Sequence, residues 1–282
     1  MTFTIFSIPK AYEGLYATIQ HNALKSWRVL STNIEIILFG NEKGINQLAK
    51  IFRCRYEPHI ERNKFKTPLV RNIFRRAELL SNDEYLLFLN ADIIIDPSIV
   101  KVFNRVRAEI GDCLVISRRW NTTIDKPINF ANKNWFGLIK TKVEKSGKLY
   151  SKMGIDLFIF PKKLFRDIPN FAIGRAVMDN WMLYYAKSKN IPIVDITEAI
   201  TLVHQNHPPR INKAEGTTTH TGKEFKSNLR LAGGYAYCYT VDDTDYSVDN
   251  KLNITKVNQF PYNLLVRIKR EIHKKVDRYL FY

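Results

Sequence analysis

The residues that could do chemistry in this chain are carboxylates and imidazoles at a few well-separated places. Asp92 stands in "EYLLFLNADIIIDPS" (84–98), after the apolar run Tyr85 to Leu89 and directly before three isoleucines. An ionised carboxylate costs several kcal/mol to bury unless a partner compensates it. Asp92 therefore reads either as facing a cation, with Asn90 as a neutral neighbour, or as a turn residue capping the next helix. His204 and His207 lie three apart in "VHQNH" (203–207). Imidazole suits Mn²⁺-like metals and is the usual general base, while hydrogen-bonded surface histidines are the plain alternative. Asp179, in "AVMDNWMLYYA" (176–186), stands near a helix start, where capping and the macrodipole explain it and where a base for a hydroxyl acceptor could also sit. Asp156 follows Gly154 in "GIDLFIFP" (154–161), a place for a tight turn or for close approach of a substrate.

The elements that must position these groups alternate. Strand-like runs occupy 3–9, 34–40, 85–89, 113–117, 156–161 and 191–197, and a β-rich segment spans 199–207. Helical spacing marks 21–30, 45–52, 66–83, 97–110 and 177–190, and in the third of these Thr67 is expected to cap and Pro68 to take the first helical position. This order predicts a parallel α/β sheet. The unbroken apolar run 85–89 suits a central strand buried on both faces. In such sheets ligands bind beyond the carboxyl ends of the strands, where Asn90-Ala91-Asp92 falls. A polar, tryptophan-containing region fills 118–150. Residues 208–260 read as loop and irregular, and 261–282 as a basic amphipathic helix in which Leu264, Ile268, Ile272, Val276 and Leu280 recur every fourth residue.

Composition narrows the partners. The 282 residues are 45% hydrophobic and carry a net charge of +17, which points to nucleotides, nucleic acid or an acidic lipid surface. Basic residues crowd 50–76, Arg71 among them; some can meet a diphosphate, while most read as a solvated face. Three scattered cysteines without CxxC spacing fit a reduced, cytoplasmic compartment. The N-terminus does not read as a signal peptide, and no apolar stretch is long enough to span a bilayer.

Taken together, "TPLVRNIFRRAELL", "YLLFLNADIII", "GIDLFIFPKKLF", "IPNFAIGRAVMDNWMLYYA" and "IPIVDITEAITLVHQNH" resemble a nucleotide-sugar glycosyltransferase of the GT-A fold, and more narrowly a group of little-characterised bacterial and viral-type members. The resemblance covers residues 1–207. It implies a Rossmann-like, mostly parallel sheet flanked by helices as the catalytic domain (1–207); beyond the resemblance, the composition of 208–260 suggests a polar extension packed on that domain and the spacing in 261–282 a helical extension. It implies a degenerate Asp-x-Asp motif at Asn90 and Asp92, with His204 or His207 completing a Mn²⁺ or Mg²⁺ site. Donor contacts would come from Asn90, Asp92, Arg71, Arg118 and Arg119. Asp179 would be the base of an inverting transfer and Asp156 a second catalytic carboxylate, with Trp120 and Trp181 toward the acceptor. Two departures stand out: Asn90 replaces the first aspartate, and Met178 stands where many inverting relatives have glutamate. The expected partners are a UDP-sugar, a glycan or lipid-linked acceptor, and an anionic membrane surface on the cytoplasmic side met by the last helix, unless that helix packs on the protein's own core with its charged face outward. A metal-dependent nucleotidyltransferase lacks support because no glycine-rich basic N-terminal loop is present. A nucleic-acid-binding protein leaves the ordered carboxylates and histidines unexplained.

Overall fold

Alternating apolar runs and amphipathic segments fold, in a computed structural model, around one large sheet. The structure describes residues 3–208 and 218–258, together with residues 266, 268 and 270–272. The first half runs β1 (Thr4–Ser7), α1 (Gly14–Arg28), β2 (Ile36–Phe39), α2 (Ile45–Ile51), β3 (Arg55–Glu57), α3 (Val70–Leu80) and β4 (Tyr85–Leu89). Then come β5 (Ile93–Ile94), α4 (Ile99–Ile110), β6 (Leu114–Ser117), β7 (Trp120–Thr122), α5 (Trp135–Ser146), β8 (Lys148–Leu149) and β9 (Leu157–Pro161). The remainder is α6 (Met178–Ser188), β10 (Ile193–Asp195), β11 (Val203–Gln205), α7 (Gly222–Ala232), β12 (Tyr246–Val248) and β13 (Ile254–Lys256).

The central sheet has nine strands in the order β13-β12-β10-β6-β9-β4-β1-β2-β3. It is mostly parallel; β9 runs antiparallel to both β4 and β6, and β13 antiparallel to β12. All five residues of β4 are buried. Tyr85, Leu87 and Leu89 face a core layer holding Trp27 and Phe103, while Leu86 and Phe88 face a second layer with Phe6, Phe74 and Phe160. Alternation along a strand with apolar neighbours on both sides is what a central strand requires. A second sheet, β5-β11-β7-β8, lies beyond the end of β4, and α5 covers it through Trp135, Ile139 and Val143.

Three expectations change. Helix α3 begins at Val70, not at Pro68, because Pro68 and Leu69 are drawn into isolated bridges with Arg62 and Ala172. The Val70 N–H then donates to the Phe171 carbonyl at 3.0 Å, and Thr67 does not cap. The polar region 118–150 contains a helix, α5, whose Trp135, Ile139 and Val143 lie four apart on its buried face. Residues 218–258 are also more regular than their composition suggests: α7 packs on α6, and β12 extends the central sheet by pairing in parallel with β10. Among residues 261–282, positions 266, 268 and 270–272 are helical, and the rest of that expected helix lies outside the described residues. Among the described residues no helix is long and apolar enough to cross a membrane.

Candidate active site

The chain turns just past the carboxyl end of β4, and this turn carries Asn90, Ala91 and Asp92. Strand β5 follows at once and pairs antiparallel with β11, setting Ile93 opposite His204. Residues far apart in sequence thereby meet: the Asp92 Oδ2 lies 3.1 Å from His207 Nε2 and 3.7 Å from His204 Nε2. Gln205, between the histidines, is fully buried. Its side-chain amide donates to the Asp92 carbonyl at 3.1 Å and to the Ile19 carbonyl at 2.9 Å, while its oxygen accepts from Asn22 at 3.0 Å. Period-two alternation places Gln205 inward when His204 looks the other way. This network fixes the backbone at Asp92 and the strand bearing His204 as one unit.

Burial alone would push the Asp92 carboxyl up, but the hydrogen bond from His207 and the electrostatic interactions with His204, His207 and Lys10 hold it below its ordinary value. Burial drives His204 down to about 4, against the pull of Asp92. His204 is therefore a neutral imidazole at physiological pH, the form that binds metals. One ligand atom from each of Asp92, His204 and His207 can be chosen so that all lie within 4.8 Å of one another. Two buried atoms here, Asp92 Oδ1 and His204 Nδ1, have no hydrogen-bond partner. His207 Nδ1 lies 2.9 Å from the Pro208 carbonyl. With Nδ1–H donated there, exchange of the Nε2 proton for a cation would make His207 a ligand whose other ring nitrogen is fixed by a backbone carbonyl, as ligating histidines commonly show. The residues present fit a divalent cation.

A second group of charges adjoins this one. Arg119 makes an ion pair with Asp156, and its Nε donates to Asn121 Oδ1 at 2.9 Å. Its guanidinium carbon lies 4.4 Å from the centre of the Tyr150 ring. A Cβ on Gly154 would stand 2.1 Å from Tyr150 Cδ1, so the glycine makes room for that ring. Asn90, expected to face a metal, has its amide 3.4 Å from Asp156 Oδ1. Burial raises the Asp156 carboxyl, opposed by Arg119 and reinforced by the charge of Asp92. Asp179 occupies the first turn of α6. Burial and then the charge of Asp156 push it up to about 7, although backbone N–H groups of Asn180 and Ile155 pull the other way.

The approach to α6 is strained. Val177, the residue before the helix, adopts φ 94°, a left-handed conformation that β-branched residues rarely take. Contacts from the missed helix hold it: Arg175 forms a buried ion pair with Glu224 through Nε at 3.0 Å and Nη2 at 2.5 Å. Asn228 exchanges hydrogen bonds with the backbone of Ala172 at 2.8 and 3.1 Å. Helix α7 thus clamps the segment that delivers Asp179.

The other expected residues lie elsewhere. Arg71 donates through Nε to the Ile168 carbonyl at 2.7 Å. Trp181 is 7% exposed and stacks on Tyr185 at 4.7 Å between ring centres, within the core. Arg118 and Trp120 line a separate concavity. Sequence reading missed Asn121, Tyr150 and Gln205. Only Gln205 left a signal, as the alternate residue of the strand that carries His204.

No protein-family model and no curated protein sequence matches the chain. Among solved structures, the chain is similar to S. aureus TarS 1–349 in complex with UDP-GlcNAc, with a TM-score of 0.53 and 13% identity over 83% of this chain and 66% of that one. TarS 1–349 in complex with UDP gives 0.52 and 12% over 83% and 64%. A further S. aureus TarS structure gives 0.53 and 13% over 83% of this chain and 39% of that one. The chain thus spans about two thirds or less of the TarS chains it matches. At such identities the likeness establishes the fold, an α/β architecture of the GT-A type.

Proposed function

We propose that this chain is a glycosyltransferase that moves a sugar from a nucleotide-diphosphate donor, preferably a UDP-sugar, to a hydroxyl of a glycan or lipid-linked acceptor, with inversion at the anomeric carbon. The observation that carries this reading is the Asp92–His204–His207 cluster beyond the carboxyl end of β4, with buried ligand atoms left unpartnered. The shared fold supports it, because TarS with that fold holds UDP-GlcNAc.

Asp92, His204 and His207 would hold the cation, and two imidazoles favour Mn²⁺ over Mg²⁺, which prefers oxygen ligands. When bound, such an ion supplies positive charge against the negative charge that grows on a leaving diphosphate. Asp179 takes the proton of the acceptor hydroxyl; its value of about 7 matches a general base at neutral pH. Arg119 holds Asp156 in a fixed orientation beside Asn90 and keeps a guanidinium at the site.

The segment 261–282 supports work at an anionic membrane. Arg270 anchors it by pairing with Asp243 at 2.7 Å and stacking 3.7 Å from the centre of Tyr239, while Ile268 and Ile272 stand 51% and 55% exposed. Cations at Arg267, Lys269, Lys274 and Lys275 flank this apolar stripe in sequence, and each is worth about 1 kcal/mol near an anionic surface. Deleting 261–282 should reduce co-sedimentation with anionic liposomes; unchanged binding removes the membrane role.

The activity test is a panel of UDP- and GDP-sugars with Mn²⁺. At least one donor should be slowly hydrolysed, and Asp92→Ala should lower that turnover on the order of 10³-fold. Tight, salt-sensitive DNA binding with no response to any nucleotide sugar would sink the proposal.

A further inference from the structure

Across the small sheet from the Asp92 cluster lies a concavity of about 390 Å³ lined by residues including Arg118, Trp120, Thr197, Glu198, Thr201 and Asn250. Strand register explains the separation. Trp120 pairs with Val203 and Asn121 with His204, and successive residues of a strand point to opposite faces. His204 and Asn121 therefore look toward Asp92, whereas Trp120 and Val203 look away from it. The consecutive residues Arg118, Arg119 and Trp120 are divided in the same way, with only Arg119 reaching Asp156.

The lining has a mixed character. Trp120 is partly buried against the apolar cluster of Ile94, Trp135 and Val203 and still opens to the cavity. Arg118 donates through Nη1 to the Tyr150 carbonyl at 3.2 Å, and its buried Nε has no hydrogen-bond partner. The Thr197 hydroxyl is occupied by the Arg118 N–H at 3.0 Å and by Asp195 at 2.5 Å. Arg118, Glu198, Thr201 and Asn250 thus supply a guanidinium, a carboxylate, a hydroxyl and an amide around an indole wall. The one cation and one carboxylate cancel, and Glu198 opposes a phosphate. Paired donors and acceptors beside an aromatic surface match a ring that is apolar on its C–H face and hydroxylated at its rim. The volume is at the lower end of the roughly 300–1,000 Å³ typical of small-ligand pockets.

We propose that this concavity is a non-catalytic sugar-binding subsite that takes one uncharged pyranose unit, with its C–H face on Trp120 and its hydroxyls on Arg118, Glu198, Thr201 and Asn250. Its use for a part of the acceptor glycan remote from the reacting hydroxyl rests on the glycosyltransferase reading; sugar binding itself does not. Tyr150 joins the two places, since its carbonyl accepts from Arg118 and its ring lies against Arg119.

The test is saturation-transfer NMR on the full chain, without nucleotide or metal, using the methyl glycosides of glucose, galactose, mannose and N-acetylglucosamine and their tetrasaccharides. At least one should bind to wild type and to Asp92→Asn alike, with affinity falling about tenfold, the equivalent of one good contact, in Trp120→Ala. Asn250→Ala, on the exposed rim, should weaken the same sugar, and it decides the matter if Trp120→Ala does not fold. The proposal is overturned if no sugar binds, if binding survives the variants, if a nucleotide sugar displaces the ligand, or if inorganic phosphate does so. Donor hydrolysis, measured separately, reports on the glycosyltransferase reading, so either idea can fail alone.

Discussion

Asp92 stands on the turn after β4 with two imidazoles against its carboxylate, and Asp179 stands in the first turn of α6 with another carboxylate, Asp156, as its charged neighbour. Both are withdrawn from water. The imidazoles hold Asp92 below its ordinary value, whereas burial and Asp156 lift Asp179 to about 7. One surrounding maintains an anion that can meet a cation, and the other maintains a proton acceptor at neutral pH. In the proposed reading, environments that push paired acids apart in this way would give the two carboxylates different roles.

The comparison breaks most severely at Asp92. Asp92→Ala should lower donor turnover on the order of 10³-fold and abolish calorimetric Mn²⁺ binding; retained binding would place the cation elsewhere. Asp179→Asn should lower kcat by about 10²–10³-fold with KM little changed, as loss of a general base does. Wild-type kcat/KM should fall as pH drops through about 7, where Asp179 takes up a proton, and that limb should vanish in the variant.

Stability gives the same centre a second readout. The ordinary value of 3.8 is raised to about 7 in the fold, so the folded state holds a proton that the unfolded state releases. That contribution is complete below about pH 3.8 and is lost as pH rises through about 7. The Tm of Asp179→Asn should therefore rise relative to wild type between about pH 5 and 8.

Asp156→Asn sharpens the contrast, because removing the charge next to Asp179 should move the kinetic limb to lower pH; an unmoved limb would show that burial alone sets Asp179. The smallest effect is expected at Gly154→Ala, where the added Cβ must displace the Tyr150 ring, costing about 1–3 kcal/mol in urea unfolding.

Much of the fold was legible because β2 and β4 are unbroken apolar runs, β1 and β6 are apolar apart from terminal Thr4, Ser7 and Ser117, and α1, α4 and α6 show helical spacing. The antiparallel course of β9 was not, since a strand buried on both faces has the same composition in either direction. Strand β12 is three residues long, too short for a period, and α7 buries Glu224 and Asn228, polar residues that read as loop until their partners are known. At the site, the order of Asp92, Asp179 and the histidines was visible through resemblance. The division of Arg118 and Trp120 from Arg119 was not, because it depends on which face of the small sheet each strand position occupies. Arg71 illustrates the other limit: its charge suggested a diphosphate, but the nearby Ile168 carbonyl engages it.

The Gln205 network has a consequence for the order of assembly. Its hydrogen bond to Asn22 joins positions 183 residues apart, and its bond to Asp92 spans 113. Contacts of such separation form only after the intervening loops have closed. On the ribosome, the first half of the chain can build β1 through β4 while Asp92 still lacks both histidines. If the cluster holds the proposed cation, it could not do so until synthesis has passed His207, and a chain cut before His204 would lack two of the three ligands.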